Sequence, residues 1–145
     1  MTKLLATLTG PADPGRRQDL AGWGLLIMRV ALGAMMLGAH GWAKLTNFSA
    51  YATQFPDPLG LGANPSLALA VFAEVFCSLA IILGLFTRWA AVPLIVTMLV
   101  AAAIVHADDP WQKKEFALLY LIPMLTLVFT GPGKLALDDR LRPRR

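Results

Sequence analysis

The chain has 145 residues, 57% of them hydrophobic and only 15% charged, with a formal net charge of +4 and a mean hydropathy of +0.59. An ordinary soluble domain carries roughly 25% charged residues, so this composition excludes a surface of normal polarity and makes lipid the natural solvent. Much of the positive charge gathers near the ends, at Arg16, Arg17, Arg140, Arg142, Arg144 and Arg145, as expected for contact with anionic headgroups rather than nucleic acid, and the single cysteine, Cys77, excludes an internal disulfide, a Cys-x-x-Cys pair and a cysteine zinc site.

Residues 1–19 are polar and broken by Pro11, Pro14 and Gly15, and read as a flexible cytoplasmic N-terminal tail. Four continuous apolar spans follow, at about 20–43, 67–86, 89–106 and 114–131. About 20 helical residues cover a hydrocarbon core about 30 Å thick. The first two spans meet this length outright, and the last two borrow interfacial residues such as His106, Lys114 and Glu115. Unbroken apolarity indicates helices, because barrel strands alternate every second residue and bare backbone is not tolerated in lipid. Gly33, Ala34, Gly38 and Ala39 permit close helix approach in the first span, and Pro123 is expected to kink the fourth. The expected fold is therefore all-α, an integral membrane four-helix bundle over residues 20–133. A basic cytoplasmic tail over 134–145 follows it.

Charge bias orients the bundle. Lys3, Arg16, Arg17, Arg88, Lys134, Arg140, Arg142, Arg144 and Arg145 fall on the side of the termini, against Lys44, Lys113 and Lys114 on the other. By the positive-inside rule both termini are cytoplasmic. Of the outer connections, residues 44–66 form the longer, with Phe48, Tyr51, Phe55, Pro56, Pro58 and Pro65. This segment either lies along the membrane interface or folds over the bundle as a lid. Trp23, Trp42, Trp89 and Trp111 stand near span ends, as an aromatic belt requires.

Ionisable residues within spans are costly, by about 2.5 kcal/mol or more at the centre, and each needs a partner or a purpose. Arg29 and His40 are eleven residues apart and share a helix face at 100° per residue, with Lys44 one turn further. Arg29 and Glu74 come out within about 6 Å of one depth at 1.5 Å rise per residue, which makes them a candidate buried ion pair. His40, His106 and Glu115 share the outer level, with Tyr120 below Glu115. The candidate ligand-binding set is His40, Lys44, Glu74, His106, Glu115 and Tyr120. Glu74, His40, His106 and Glu115 are the candidates for acid–base chemistry, and no metal set is expected.

The ordered set Arg29-x-x-x-Gly33, His40-Gly41-x-x-Lys44, Glu74, Gly84-Leu85-Phe86-Thr87-Arg88, His106, Glu115-x-x-Leu118-Leu119-Tyr120 and Gly131-Pro132-Gly133 resembles the DoxX family over roughly residues 23–138. The resemblance implies a four-helix protein of the bacterial inner membrane. It also implies a membrane subunit of quinone-linked oxidoreductase systems that handle sulfur compounds or oxidative stress. Arg29, His40, Lys44, Glu74, Arg88, His106 and Glu115 occupy the family's polar positions. Where family members place glycine soon after the acidic residue of span two, this chain has Cys77 and Ser78.

Three functions compete at this level. In the first, a quinone is the redox partner: His40, His106, Lys44 and Tyr120 donate to its carbonyls, and Glu74 or Glu115 relays protons. The chain carries no flavin or iron–sulfur motif, so its electrons come from a partner protein or bound cofactor. The second is a non-catalytic membrane anchor or stabilising partner of a soluble enzyme, docking through the basic C-terminus from Lys134 to Arg145; a partner protein or homo-oligomer is expected in either case. The third, less favoured, is haem held between His40 and His106.

Overall fold

The computed structural model describes residues 13–141, and every regular element among them is a helix. In chain order these are α1 (Pro14–Thr46), α2 (Phe48–Ala52), α3 (Ala63–Leu83), α4 (Thr87–Val105), α5 (Trp111–Thr130) and α6 (Asp138–Leu141). α1 begins inside the stretch expected to be a tail, because Pro14 sits in its first turn with φ already set for a helix. Residues 1–12 and 142–145 lie outside the described residues, and with them Arg142, Arg144 and Arg145.

α1, α3 and α4 are each long and apolar enough to cross a membrane. α5 is comparable at 20 residues but opens with Lys113, Lys114 and Glu115. It also runs unbroken through Pro123 to Thr130. The four long helices bury a shared core of Met36, Ile81, Leu94, Met124 and Leu127. Their outer faces are apolar as well: Ile27, Phe72, Phe76, Phe116, Ile122 and Phe129 are all exposed. Helices apolar on every side belong in lipid rather than water.

Three of the long helices contain a turn of π-helix, at Leu37–Gly41, Phe72–Cys77 and Ala101–Val105. Such turns take in one more residue than an α-turn and often mark functional sites. The first two pack on each other. A Cβ on Gly41 would come within 2.8 Å of the Glu74 carbonyl, so only glycine allows this crossing. Gly33 likewise approaches the Ser78 carbonyl, to 3.1 Å from its would-be Cβ. The close approach of α1 and α3 is therefore made by glycines of α1. Gly38, by contrast, faces open space.

One end of the bundle gathers the start of α1, the α3–α4 turn and the C-terminal segment. The turn passes through two left-handed residues, Gly84 at φ 68° and Phe86 at φ 45°. The segment after α5, the start of the expected basic tail, folds back beneath it. The Lys134 amide donates to Gly22 (3.1 Å), Leu137 to Leu83 (3.3 Å) and Asp138 to Gly84 (2.9 Å). The Asp138 carboxylate then accepts from the amides of Phe86 (2.6 Å) and Thr87 (3.0 Å), capping α4 at the positive end of its dipole.

Arg29 locks this end, and here the expected ion pair is corrected. Its guanidinium donates to the carbonyls of Ile81 (3.0 Å), Ile82, Lys134 (3.2 Å) and Leu135 (3.1 Å), and it is 1% exposed. It does not meet Glu74. The cause is side-chain direction: Cα–Cβ bonds lean toward a helix's own N-terminus. α1 and α3 are antiparallel, so Arg29 leans toward the termini while Glu74 leans the opposite way. Ile81 lies seven residues beyond Glu74, or about 11 Å along the helix. A guanidinium among the last carbonyls of α3 is also favoured by the negative end of that helix's dipole.

At the opposite end the α1–α3 connector folds over the bundle, which resolves the choice left open by its sequence. Phe48, Ala52 and Phe55 pack on Leu67, Val71 and Val75, a second apolar cluster separate from the main core.

Candidate functional site

Glu74 stands on the π-turn of α3, 4% exposed, and its partner is Lys44 near the end of α1. The ammonium of Lys44 donates to both carboxylate oxygens at 2.6 Å. The lean that separates Arg29 from Glu74 brings this pair together: Lys44 reaches down from the end of α1 as Glu74 reaches up. A buried carboxylate requires such a partner, since an isolated charge in low dielectric carries a large solvation penalty.

The pair forms the polar floor of a cleft of about 250 Å³. α3 and α4 wall it with Leu69, Ala70, Val96 and Val100, and Phe55, Pro56, Pro58 and Leu59 of the connector roof it. Ser66, Thr97 and His106 add polar atoms to otherwise apolar walls. The His106 Nδ1 bonds Asp109 Oδ2 at 2.7 Å, and Lys113 reaches the other oxygen of Asp109 at 3.1 Å. His106, hydrogen-bonded first, and then Lys113 hold the Asp109 carboxyl below the usual carboxylate range. The imidazole is thus oriented through Nδ1, with Nε2 making no hydrogen bond among the described residues.

His40 does not join this cluster. It is exposed on α1, and its ring meets Tyr120 of α5 edge-on at 5.6 Å between centroids. The stripe projected at 100° per residue fails at the Leu37–Gly41 π-turn, where one extra residue turns His40 outward and Gly41 inward. Lys44, beyond that turn, remains half-buried and on the cleft. Tyr120 is 6% exposed and belongs to the core, and Glu115 is exposed in the first turns of α5. The expected single polar mouth is therefore divided, with Lys44, Glu74 and His106 on the cleft and His40 with Tyr120 apart from them.

A family model described as DoxX matches residues 24–107, more than half of the chain. The chain belongs to the DoxX family. The matched span contains Arg29, His40, Lys44, Glu74 and His106, but neither Glu115 nor Tyr120. An uncharacterized protein of Haemophilus influenzae is 34% identical, covering 80% of this chain and 89% of its own length. Another from the same organism is 29% identical, covering 84% and 85%. An uncharacterized membrane protein of Mycobacterium tuberculosis is 33% identical, covering 94% of each chain. No solved structure matches. This DoxX chain is a membrane protein.

In this DoxX chain the roof of the cleft is held by a residue that pattern reading passed over. Asp57 accepts from the amides of Leu61 (2.9 Å) and Gly62 (2.8 Å) and from the Ser66 hydroxyl (2.9 Å). An aspartate shortly before glycines, at Asp57, Gly60 and Gly62, is the available signal for such a turn. The Gly62 amide bond leads in holding the Asp57 carboxyl below its ordinary value. A depressed carboxyl contributes stability above its unfolded pKa of about 3.9 and loses it as pH falls through the folded value. The latch is thus expected to be intact at neutral pH and to loosen only as pH falls below the ordinary carboxylate range. Amide exchange at Leu61 and Gly62, corrected for the intrinsic pH dependence, should accelerate selectively below that range, and Asp57→Asn should remove most of the transition. An acid transition that is the same in Asp57→Asn as in wild type would count against the latch.

Proposed function

We propose that this DoxX chain is a four-span subunit of the bacterial inner membrane with both termini cytoplasmic, and that its cleft binds the headgroup of a quinone serving a partner oxidoreductase. α5 is the fourth span. It packs along α4 for most of its length, and its charged first turns lie at the same end as Lys44. Trp23 and Trp89 are exposed toward one end of the bundle and Trp42 and Trp111 toward the other, which supports a bilayer between them. A reporter domain fused after Arg145 should therefore be active only in the cytoplasm; periplasmic activity would reverse the orientation.

The observation that carries the quinone reading is the buried Lys44–Glu74 pair exposed to an apolar cleft beside an oriented imidazole. A volume of about 250 Å³ lies just below the usual range for ligand pockets, and suits one ring rather than an extended substrate. Reducing a quinone to a quinol takes two electrons and two protons. The electrons come from the partner enzyme. Lys44 hydrogen-bonds one carbonyl oxygen, and His106, whose Nδ1–H is held by Asp109, donates from Nε2 to the other in its imidazolium form; each yields one of the two protons to the oxygen it faces, and Glu74 beneath Lys44 relays the replacement proton to Lys44.

Purified protein should carry quinone through gentle detergent extraction, detected in the organic extract by its ultraviolet spectrum before and after borohydride. Lys44→Met combined with Glu74→Leu replaces the pair by apolar groups, and should abolish the bound quinone while the protein still folds. His106→Ala should weaken binding about tenfold, the loss of one hydrogen bond. Retention of quinone by the folded double variant would sink the proposal.

A further inference from the structure

The cleft opens on its flank, where lipid would lie. Its roof, the connector, is seated by Phe48, Ala52 and Phe55 on α3 and latched by Asp57, with Leu59 and Leu61 exposed. Its flank is different. α4 packs against α3 from the Gly84 turn up to the Phe72–Cys77 turn, and the two helices part beyond that level. Leu69 of α3 and Val96 of α4 line the cleft there, yet are 55% and 50% exposed on the outside of the bundle. The cavity wall is thus continuous with the lipid-facing surface, along helices apolar enough to cross a membrane.

The charge at the floor narrows what can enter by this route. Both oxygens of Glu74 already accept from Lys44, so the pair is internally compensated. A phosphate head would bring an extra negative charge into an apolar site against Glu74, whereas an uncharged carbonyl head only needs donors.

We infer that the cleft loads sideways from the bilayer, and that Leu69, Val96 and Val100 between α3 and α4 form the subsite for the hydrocarbon tail of an uncharged-headed lipophile. This rests on the headgroup site proposed above and adds its tail, its route and the residues that select for it. Val96 and Val100 are one helical turn apart, which makes them a continuous rail parallel to an acyl or isoprenoid chain.

The test uses the full chain in nanodiscs and two probes, a decyl-substituted dimethoxybenzoquinone and its tail-less parent. Val96→Trp and Leu69→Trp plug the portal, and Ile122→Trp places the same bulk on the exposed face of α5, away from the cleft. Losing the burial of two or three methylenes weakens the decyl probe roughly tenfold or more. The plugs should have that effect on the decyl probe and leave the tail-less quinone within about twofold, while Ile122→Trp changes neither. Equal weakening of both probes by the plugs, or no effect on either, overturns the tail subsite while the headgroup reading stands. Failure of the wild-type protein to bind either quinone removes the headgroup reading and this inference with it. Melting temperature checks the fold of each variant, and Val96→Phe substitutes should Val96→Trp not fold.

Discussion

Replacing Lys44 by methionine is expected to destabilise the protein by about 3 kcal/mol, because it strands the Glu74 carboxylate without its counter-charge. The exposures decide which partner matters more. The side chain of Glu74 is 5% exposed and that of Lys44 18%, so a bereft Lys44 can turn toward the headgroup region while a bereft Glu74 cannot. Glu74→Gln should therefore cost less than Lys44→Met, about 1–2 kcal/mol, since a neutral amide still hydrogen-bonds the ammonium. Lys44→Met with Glu74→Leu should come back to within about 1 kcal/mol of wild type, as apolar replacements of a buried pair commonly do. Reversible unfolding in mixed micelles of wild type, Lys44→Met, Glu74→Leu and the double variant closes the cycle, and a near-additive double variant would show that the pair is not coupled. A stable double variant without quinone would place the pair's value in binding rather than in holding the fold.

Replacing Arg29 by leucine is expected to cost more, about 4 kcal/mol, and to release the C-terminal segment. Charge-assisted hydrogen bonds contribute about 1.5–3 kcal/mol each but act here as one unit, so their sum is not the expectation. Two of the four acceptors, Lys134 and Leu135, lie on the returning segment, and the other two close α3. Trypsin should then cut after Lys134 at least about tenfold faster in Arg29→Leu than in wild type, tracking the population of the released segment. Arg29→Lys should recover less than half of the stability, because a point charge cannot serve acceptors on two separate segments as a planar fork can. A cycle pairing Arg29→Leu with Glu74→Gln should be additive within about 0.5 kcal/mol. A large coupling between these two positions would restore the ion pair that the geometry rejects.

Both predictions turn on where spacing along the chain stops being informative. Depth arithmetic measures Cα positions, and it placed Arg29 and Glu74 side by side. Side chains several ångströms long that lean opposite ways on antiparallel helices do not meet where their Cα atoms do. Phase arithmetic at 100° per residue fails at His40 for a different reason, the extra residue of the π-turn at Leu37–Gly41. That turn has no composition of its own: Leu-Gly-Ala-His-Gly reads equally well as α-helix. What makes it necessary is the crossing with α3, where the Gly41 backbone meets the Glu74 carbonyl.

The sequence by itself determined the membrane character, the helical class and the approximate extent of the long helices, because these follow from the solvation of apolar side chains and backbone amides, which is additive along the chain. It also singled out Lys44, Glu74 and His106, since an ionisable group among apolar neighbours is conspicuous without any structure. The tertiary structure alone decided who partners whom. Lys44 rather than Arg29 neutralises Glu74, Arg29 closes the far end on four carbonyls, and Asp57 pins a connector whose role was open. Pairing depends on side-chain direction and helix phase to within a few ångströms, and a single inserted residue in one turn is enough to change both.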